Sequence, residues 1–264
     1  MKGTRIILGF FALAILIFSA YAVLRTVPIN ECGGDNGTGI ECIGLPPGFS
    51  IDYYAEGVEG ARSMALSPEG TLFAGSRGGA GKLYAMTDRN GDNKADDVLV
   101  IAEGLDMPNG GVAFRNGSLY VAEISRVLRY DDIEARLENP PDPAVVRGDF
   151  PADRSHGWKY IKFGPDGKLY VPVGMPCNVC NLEEEEERYG TMMRMEPDGS
   201  QPEIFARGIR NTVGFAWNPP ETGELWFTDN GRDWLGDDLP PDELNSARAR
   251  DALWLSILPW ERYP

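Results

Sequence analysis

The sequence predicts an all-β chain folded as a β-propeller, and three observations predict it. Four segments repeat one pattern: alternating apolar residues, a tight turn, then leucine followed by an aromatic and a small or β-branched residue. The leucines of the four, Leu72, Leu119, Leu169 and Leu225, lie 47, 50 and 56 residues apart, a period suited to a unit of several short strands. Thirty-two glycines and twenty prolines, with few long helical patterns, favour strands and turns.

The elements follow in chain order. Lys2 and Arg5 precede nineteen uninterrupted apolar residues, Ile6 to Leu24, closed by Arg25. At 1.5 Å per residue this run crosses a bilayer core of roughly 30 Å. Ala20-Tyr21-Ala22 also fits the cleavage pattern of a signal peptide. Residues 1–25 are therefore expected to be a hydrophobic helix serving as signal anchor or signal peptide. The positive flank places the remainder across the membrane. In a bacterium that is the periplasm, with inner-membrane association through residues 6–24 where the helix is uncleaved.

Residues 26–44 are a linker in which Cys32 and Cys42 bracket a Gly/Asn-rich stretch. Cys177 and Cys180 make a second close pair. In an oxidising compartment two local pairs predict the disulfides Cys32–Cys42 and Cys177–Cys180. A four-thiolate zinc site would need the distant pairs to converge. A redox role for the C-x-x-C would need a βαβ setting.

The repeats occupy residues 45–245. Met64 to Ala74 turns at Pro68-Glu69-Gly70, and Gly111 to Val121 at Asn116-Gly117. The third unit, which opens at His156, turns at Pro165-Asp166-Gly167. These turns supply the positive φ that a tight hairpin requires. The fourth runs from Gly214 through Phe227, and further hairpin strands are expected at Lys82–Met86 and Thr191–Met195. Four units leave the first and last without partners, whereas a propeller manages its edges by closing the ring.

The formal charge of −15 argues against nucleic acid or an anionic bilayer surface as partner. His156 is the one histidine in 264 residues, hence the one candidate for a proton acceptor titrating near neutrality. Arg210-Asn211 opens the next module, where a turn bonding neighbouring carbonyls is the plain alternative to a ligand contact. Asp88, Asn90 and Asp92 place oxygen side chains at alternate positions, as in a calcium loop. That loop lacks glycine at its sixth position and has Leu99 at its twelfth, so a structural calcium turn and an ordinary Asn/Asp hairpin both fit. Glu183 to Glu187 reads as a solvated insert.

Three motifs carry a family resemblance: His156-Gly157 with its hairpin, Gly208-Ile209-Arg210-Asn211 through Gly214-Phe215, and Phe227-Thr228-Asp229-Asn230-Gly231-Arg232 followed by Asp242-Glu243-Leu244-Asn245. From about Leu45 to Asn245 the chain resembles the glucose/sorbosone dehydrogenase family, in its sorbosone dehydrogenase-like branch. The resemblance implies a six-bladed propeller of the quinoprotein type, about four blades of it present here. It implies a periplasmic enzyme using pyrroloquinoline quinone (PQQ) and calcium to oxidise a sugar or aldose hydroxyl or hemiacetal. His156 would take the hydroxyl proton while hydride passes to the quinone. Arg210, Asn211 and Asn230 would hold the cofactor, Arg210 also acting on the quinone oxygen. The backbone carbonyls of Gly231 and Arg232 would bind calcium, with Asp229, Asp242 and Glu243 beside them. A calcium-dependent lactonase on a propeller, or a non-catalytic binding propeller, would use the same fold.

After Asn245 the resemblance stops, and residues 246–264 read as an aberrant tail. A one-base shift would turn Trp254 with Leu255, and Trp260 with Glu261, into the two glycines that the branch has there. A frameshift is the expectation, and with later blades lost the chain alone is expected to bind PQQ weakly and to turn over slowly or not at all.

Overall fold

The computed structural model describes residues 40–252 other than 79, 109, 181, 183, 222, 237, 238, 249 and 250. The apolar run 6–24, Cys32 and the tail from residue 253 lie outside the described residues. Residues up to Tyr54 form one unit and those from Ala55 onward a second. In the first, Ile40–Cys42 is a short 3-10 turn followed by irregular chain. Cys42 is disulfide-bonded.

The second unit consists of four sheets taken in chain order. β1 (Ala61–Leu66), β2 (Leu72–Ser76), β3 (Leu83–Thr87) and β4 (Asp97–Ala102) make the first. β5 (Gly111–Arg115), β6 (Ser118–Ala122), β7 (Val127–Tyr130) and β8 (Ala144–Arg147) make the second. The third holds β9 (Lys162–Phe163), β10 (Leu169–Val173), β11 (Thr191–Met195) and β12 (Glu203–Arg207), and the fourth β13 (Phe215–Asn218), β14 (Glu224–Asp229) and β15 (Glu243–Ala247). Every one of these neighbours is antiparallel, so each sheet is an up-and-down meander. β16 (Asp251–Ala252) adds to the third sheet, parallel to β12. No α-helix occurs among the described residues. The all-β propeller expected from the repeats is present with four blades, and β15 carries the fourth two residues past Asn245.

Local chemistry accounts for the turns. Asn116 and Gly117 have φ of 50° and 78°, the two positive values that a two-residue hairpin needs to match strand twist. They join β5 to β6, whose register runs Gly111↔Ala122 through Arg115↔Ser118.

Period-2 alternation accounts for the stacking, because successive side chains point to opposite faces of a sheet. In β6, Leu119 and Val121 pack with Phe73 and Leu83 of the first sheet. Tyr120 and Ala122 of the same strand pack with Leu169 and Val171 of the third. Tyr170, between those two, faces Phe215 and Trp217 of the fourth. Each central strand is therefore hydrophobic on both faces, which explains why its apolar run is continuous. Close approach between blades also demands a small residue: a Cβ at Gly111 would sit 2.3 Å from the carbonyl oxygen of Lys159. The two end sheets keep apolar side chains in solvent, Met64 and Leu66 on the first and Leu244 on the fourth.

Candidate active site

His156 sits in the irregular segment before β9 and adopts φ of 52°. A non-glycine residue there costs on the order of 1–3 kcal/mol and persists only where its surroundings enforce it. Two glycines do so. A Cβ at Gly157 would lie 2.0 Å from the Asp153 carbonyl oxygen, and one at Gly174 would lie 2.8 Å from the His156 Cβ. The ring is then oriented by Nδ1, 2.6 Å from the carbonyl oxygen of Met175. A carbonyl only accepts, so Nδ1 carries the hydrogen and the neutral ring keeps its lone pair on Nε2. Burial pushes the imidazole below its ordinary value; Arg210 pushes it the same way, against the Met175 bond and Asp233.

Lys159, three residues on, was not singled out in the sequence. It is 1% exposed, and its Nζ donates to the carbonyls of Ile124 at 2.6 Å and Gly157 at 2.7 Å. The ammonium thus ties the residue after His156 to the loop that follows β6. Burial pushes it down to about 8; Asp153 pulls it up and Arg188 pushes it further down. The ordinary value is 10.5, so the fold disfavours the charged form. Its contribution to stability is full above about 10.5 and is lost as pH falls through the folded value, a difference of about 3 kcal/mol at neutral pH. Relative to K159M, the wild-type chain should gain about that much in urea unfolding between about pH 8 and 10.5. Parallel pH profiles for the two would show that this amine titrates normally.

Arg210 and Asn211 follow β12, and both are buried. Their backbone amides donate to Asp229 at the end of β14, at 3.0 Å and 2.6 Å. Burial pushes the Asp229 carboxyl up to about 6, against these two amides and Arg210, while Glu243 adds to the rise. The Arg210 carbonyl accepts from Met175 at 2.9 Å, so Met175 bridges histidine and arginine. The guanidinium points inward: Nη1 donates to the Asn230 carbonyl, Nε to the Asn178 carbonyl, and Nη2 to Asn178 Oδ1 and Asp233. Four of its five N–H donors are thereby used. The sequence offered both a ligand contact and bonds to neighbouring carbonyls for Arg210; the structure shows the carbonyl bonds and leaves one donor for a ligand. Sequence reading missed Asn178, which sits between the bonded Cys177 and Cys180 and also accepts from the Asp233 amide at 2.8 Å.

His156, Arg210, Asn211, Asn230, Gly231 and Arg232 all line one cleft of about 670 Å³, with Trp158 and Trp234. That volume lies in the range of small-molecule sites. The Asn211 carboxamide has no hydrogen-bond partner among the described residues. Its amide, the spare Arg210 donor and the exposed Trp234 ring fit a flat group bearing carbonyl and carboxylate oxygens. Asp242 is occupied with the Gly231 amide at 2.8 Å, and Glu243 accepts from Asn245 Nδ2. Among the described residues no three His, Cys, Asp or Glu side chains cluster as a metal site, and the cleft lining includes Gly231, Arg232, Asp233 and Asp242. Away from the cleft, Asp88 accepts from the amides of Gly91 and Asn93, Asn90 from that of Asp92, and Asp92 from that of Lys94. These contacts are Asx turns of the Asp88–Asp92 loop. In the acidic insert Glu186 and Glu187 are paired, with Arg188 and Arg207.

Comparison with known proteins covers most of the chain. The family described as Domain of unknown function (DUF7133) matches residues 41–252. An uncharacterized protein of Borreliella burgdorferi is 28% identical over 212 residues, 76% of this chain and 52% of the relative. The chain thus spans about half the length of that curated relative. Among solved structures, the calcium structure of a Trichoderma reesei carbohydrate-active enzyme of family AA12 is 18% identical with a TM-score of 0.61, over 73% of this chain and 53% of that one. The PQQ-bound aldose sugar dehydrogenase of Streptomyces coelicolor is 23% identical with a TM-score of 0.58, over 76% and 64%. The PQQ domain of a Coprinopsis cinerea pyranose dehydrogenase is 16% identical at 0.58, over 73% and 49%. These likenesses establish the fold.

Proposed function

The chain belongs to the family described as Domain of unknown function (DUF7133), and from that premise we propose that it is a quinoprotein oxidoreductase acting on a sugar or aldose in the periplasm. The observation that carries the reading is an imidazole with its Nδ1 committed to Met175 beside Arg210 and Asn211 in one cleft. PQQ-bound and calcium-bound proteins of the same fold support it. Attachment to the inner membrane through residues 6–24, or release after cleavage, belongs to the same proposal.

His156 Nε2 takes the proton from the substrate hydroxyl; its lowered pKa keeps the ring neutral and basic near pH 7. The Met175 carbonyl stabilises the resulting imidazolium through Nδ1–H. Asn211 and the spare Arg210 donor would hold the cofactor's oxygens, and Trp234 would offer it an aromatic contact. The Gly231 and Arg232 carbonyls are the oxygens suited to calcium, an ion that accepts such ligands. PQQ, when bound, supplies a two-electron hydride acceptor. The Asp229 carboxyl keeps Arg210 and Asn211 in place.

The test uses the full chain. PQQ titrated in calcium should move the one histidine resonance in a ¹³C-histidine NMR spectrum, and aldoses should then reduce a dye slowly. A resonance that ignores PQQ up to millimolar concentration would refute the reading. In N211A the shift should need about tenfold more PQQ, as loss of one hydrogen bond to a charged ligand implies.

A further inference from the structure

We propose that Arg62 and Arg77, stacked on Trp158, form an anion-binding rim of the His156 cleft, so that the sugar oxidised there carries a carboxylate. The rim stands on geometry alone; the oxidation rests on the reading above.

The two arginines lie at one corner of the first sheet. Arg62 is the second residue of β1, Arg77 follows the last residue of β2, and Ala61 pairs with Ser76. The cleft residues occupy the same end of the other sheets. His156 and Trp158 precede β9, Arg210 and Asn211 precede β13, and Asn230 follows β14. Strand direction therefore brings both arginines to the face where the cleft opens.

Trp158 is the shared wall. It lines the cleft, and the guanidinium carbons of Arg62 and Arg77 lie 5.9 Å and 5.5 Å from its ring centroid. A guanidinium held over an aromatic face by cation–π attraction spends none of its N–H donors on that contact. Such a fork matches the two oxygens of a carboxylate.

The donors are uncommitted. Arg126, Arg129, Arg147, Arg188 and Arg194 each reach a carboxylate. Among the described residues neither Arg62 nor Arg77 does, although acidic residues number 40 against 25 basic. The acidic residue in the pocket beside Arg77 is Glu59, which lies 3.7 Å from the Lys82 ammonium. In a chain of net charge −15, two exposed cations without acidic partners make a local positive spot that attracts anions the rest of the surface repels.

Galacturonate, galactose 6-phosphate and galactose, titrated into the full chain with and without PQQ and calcium, test the rim. Galacturonate should bind about tenfold tighter than galactose. R62Q/R77Q should bring the two sugars within about twofold and abolish the salt dependence of the acid's binding. Both residues are exposed, so the variant's circular dichroism should match that of the native chain. Equal binding of acid and neutral sugar, or a preference surviving in the double variant, overturns the rim. Tighter binding of the phosphate than of the uronate, lost in the double variant, keeps the rim and makes the substrate a sugar phosphate. A preference that PQQ abolishes means the anion held is the cofactor's own, which overturns the substrate assignment. Acid preference without any PQQ response leaves the rim standing and removes the dehydrogenase reading; PQQ binding without acid preference does the reverse.

Discussion

H156A is expected to lower dye reduction by roughly 10²–10⁴-fold, the usual worth of a positioned proton acceptor, while PQQ still binds. No other imidazole exists in the chain to substitute for it. Burial and the Arg210 charge hold the His156 pKa below its ordinary 6.5. Activity of the native chain should therefore rise with pH, reach half its plateau below pH 6.5, and stay level above. The same shift predicts a stability contribution from His156 that is present above 6.5 and lost as pH falls through the folded value. A half-rise above 6.5, or an H156A variant that keeps full turnover, would show that another group accepts the proton.

D229A should give the largest structural effect, and one that depends on pH. The substitution leaves the buried amides of Arg210 and Asn211 without an acceptor, at about 1–3 kcal/mol each. Opposing this, the native carboxyl is raised from 3.8 to about 6 by burial. A raised carboxyl contributes stability that is full below the unfolded value and is lost as pH rises through the folded one. The loss amounts to about 3 kcal/mol. The variant's deficit should thus be greatest near pH 4, about 2–5 kcal/mol, and shrink above pH 7. In a unit of this size each kcal/mol is about 2–4 °C in Tm. PQQ affinity should fall at every pH, because the Arg210-Asn211 turn loses its anchor. A deficit that is flat across pH 4 to 8 would mean the Asp229 carboxyl titrates normally.

The site was partly legible beforehand. His156 stood out by being alone, and Arg210-Asn211 by opening the same position one repeat later. Lys159 was hidden inside an aromatic-rich strand approach, with nothing local to say that its ammonium would reach Ile124, 35 residues back. Asn178 looked like filler between two cysteines, yet it takes two donors from Arg210 and one from Asp233. Asp229 was expected beside a calcium site, and what no local pattern announced is that it also accepts from two main-chain amides. Asp88–Asp92 shows the converse, since its Asp and Asn side chains accept from main-chain amides only two to five residues on.

By itself the sequence determined the repeated hairpins, their turns and the count of about four blades. Apolar alternation and positive-φ residues act over a few neighbours, and those forces are the same wherever the segment sits. Only the tertiary structure decided that Arg210 spends four of its five donors on the protein while Arg62 and Arg77 reach no carboxylate among the described residues, and that a buried lysine ties down the histidine loop. Which donors are satisfied depends on acceptors brought in from other blades, and no local pattern encodes that distance.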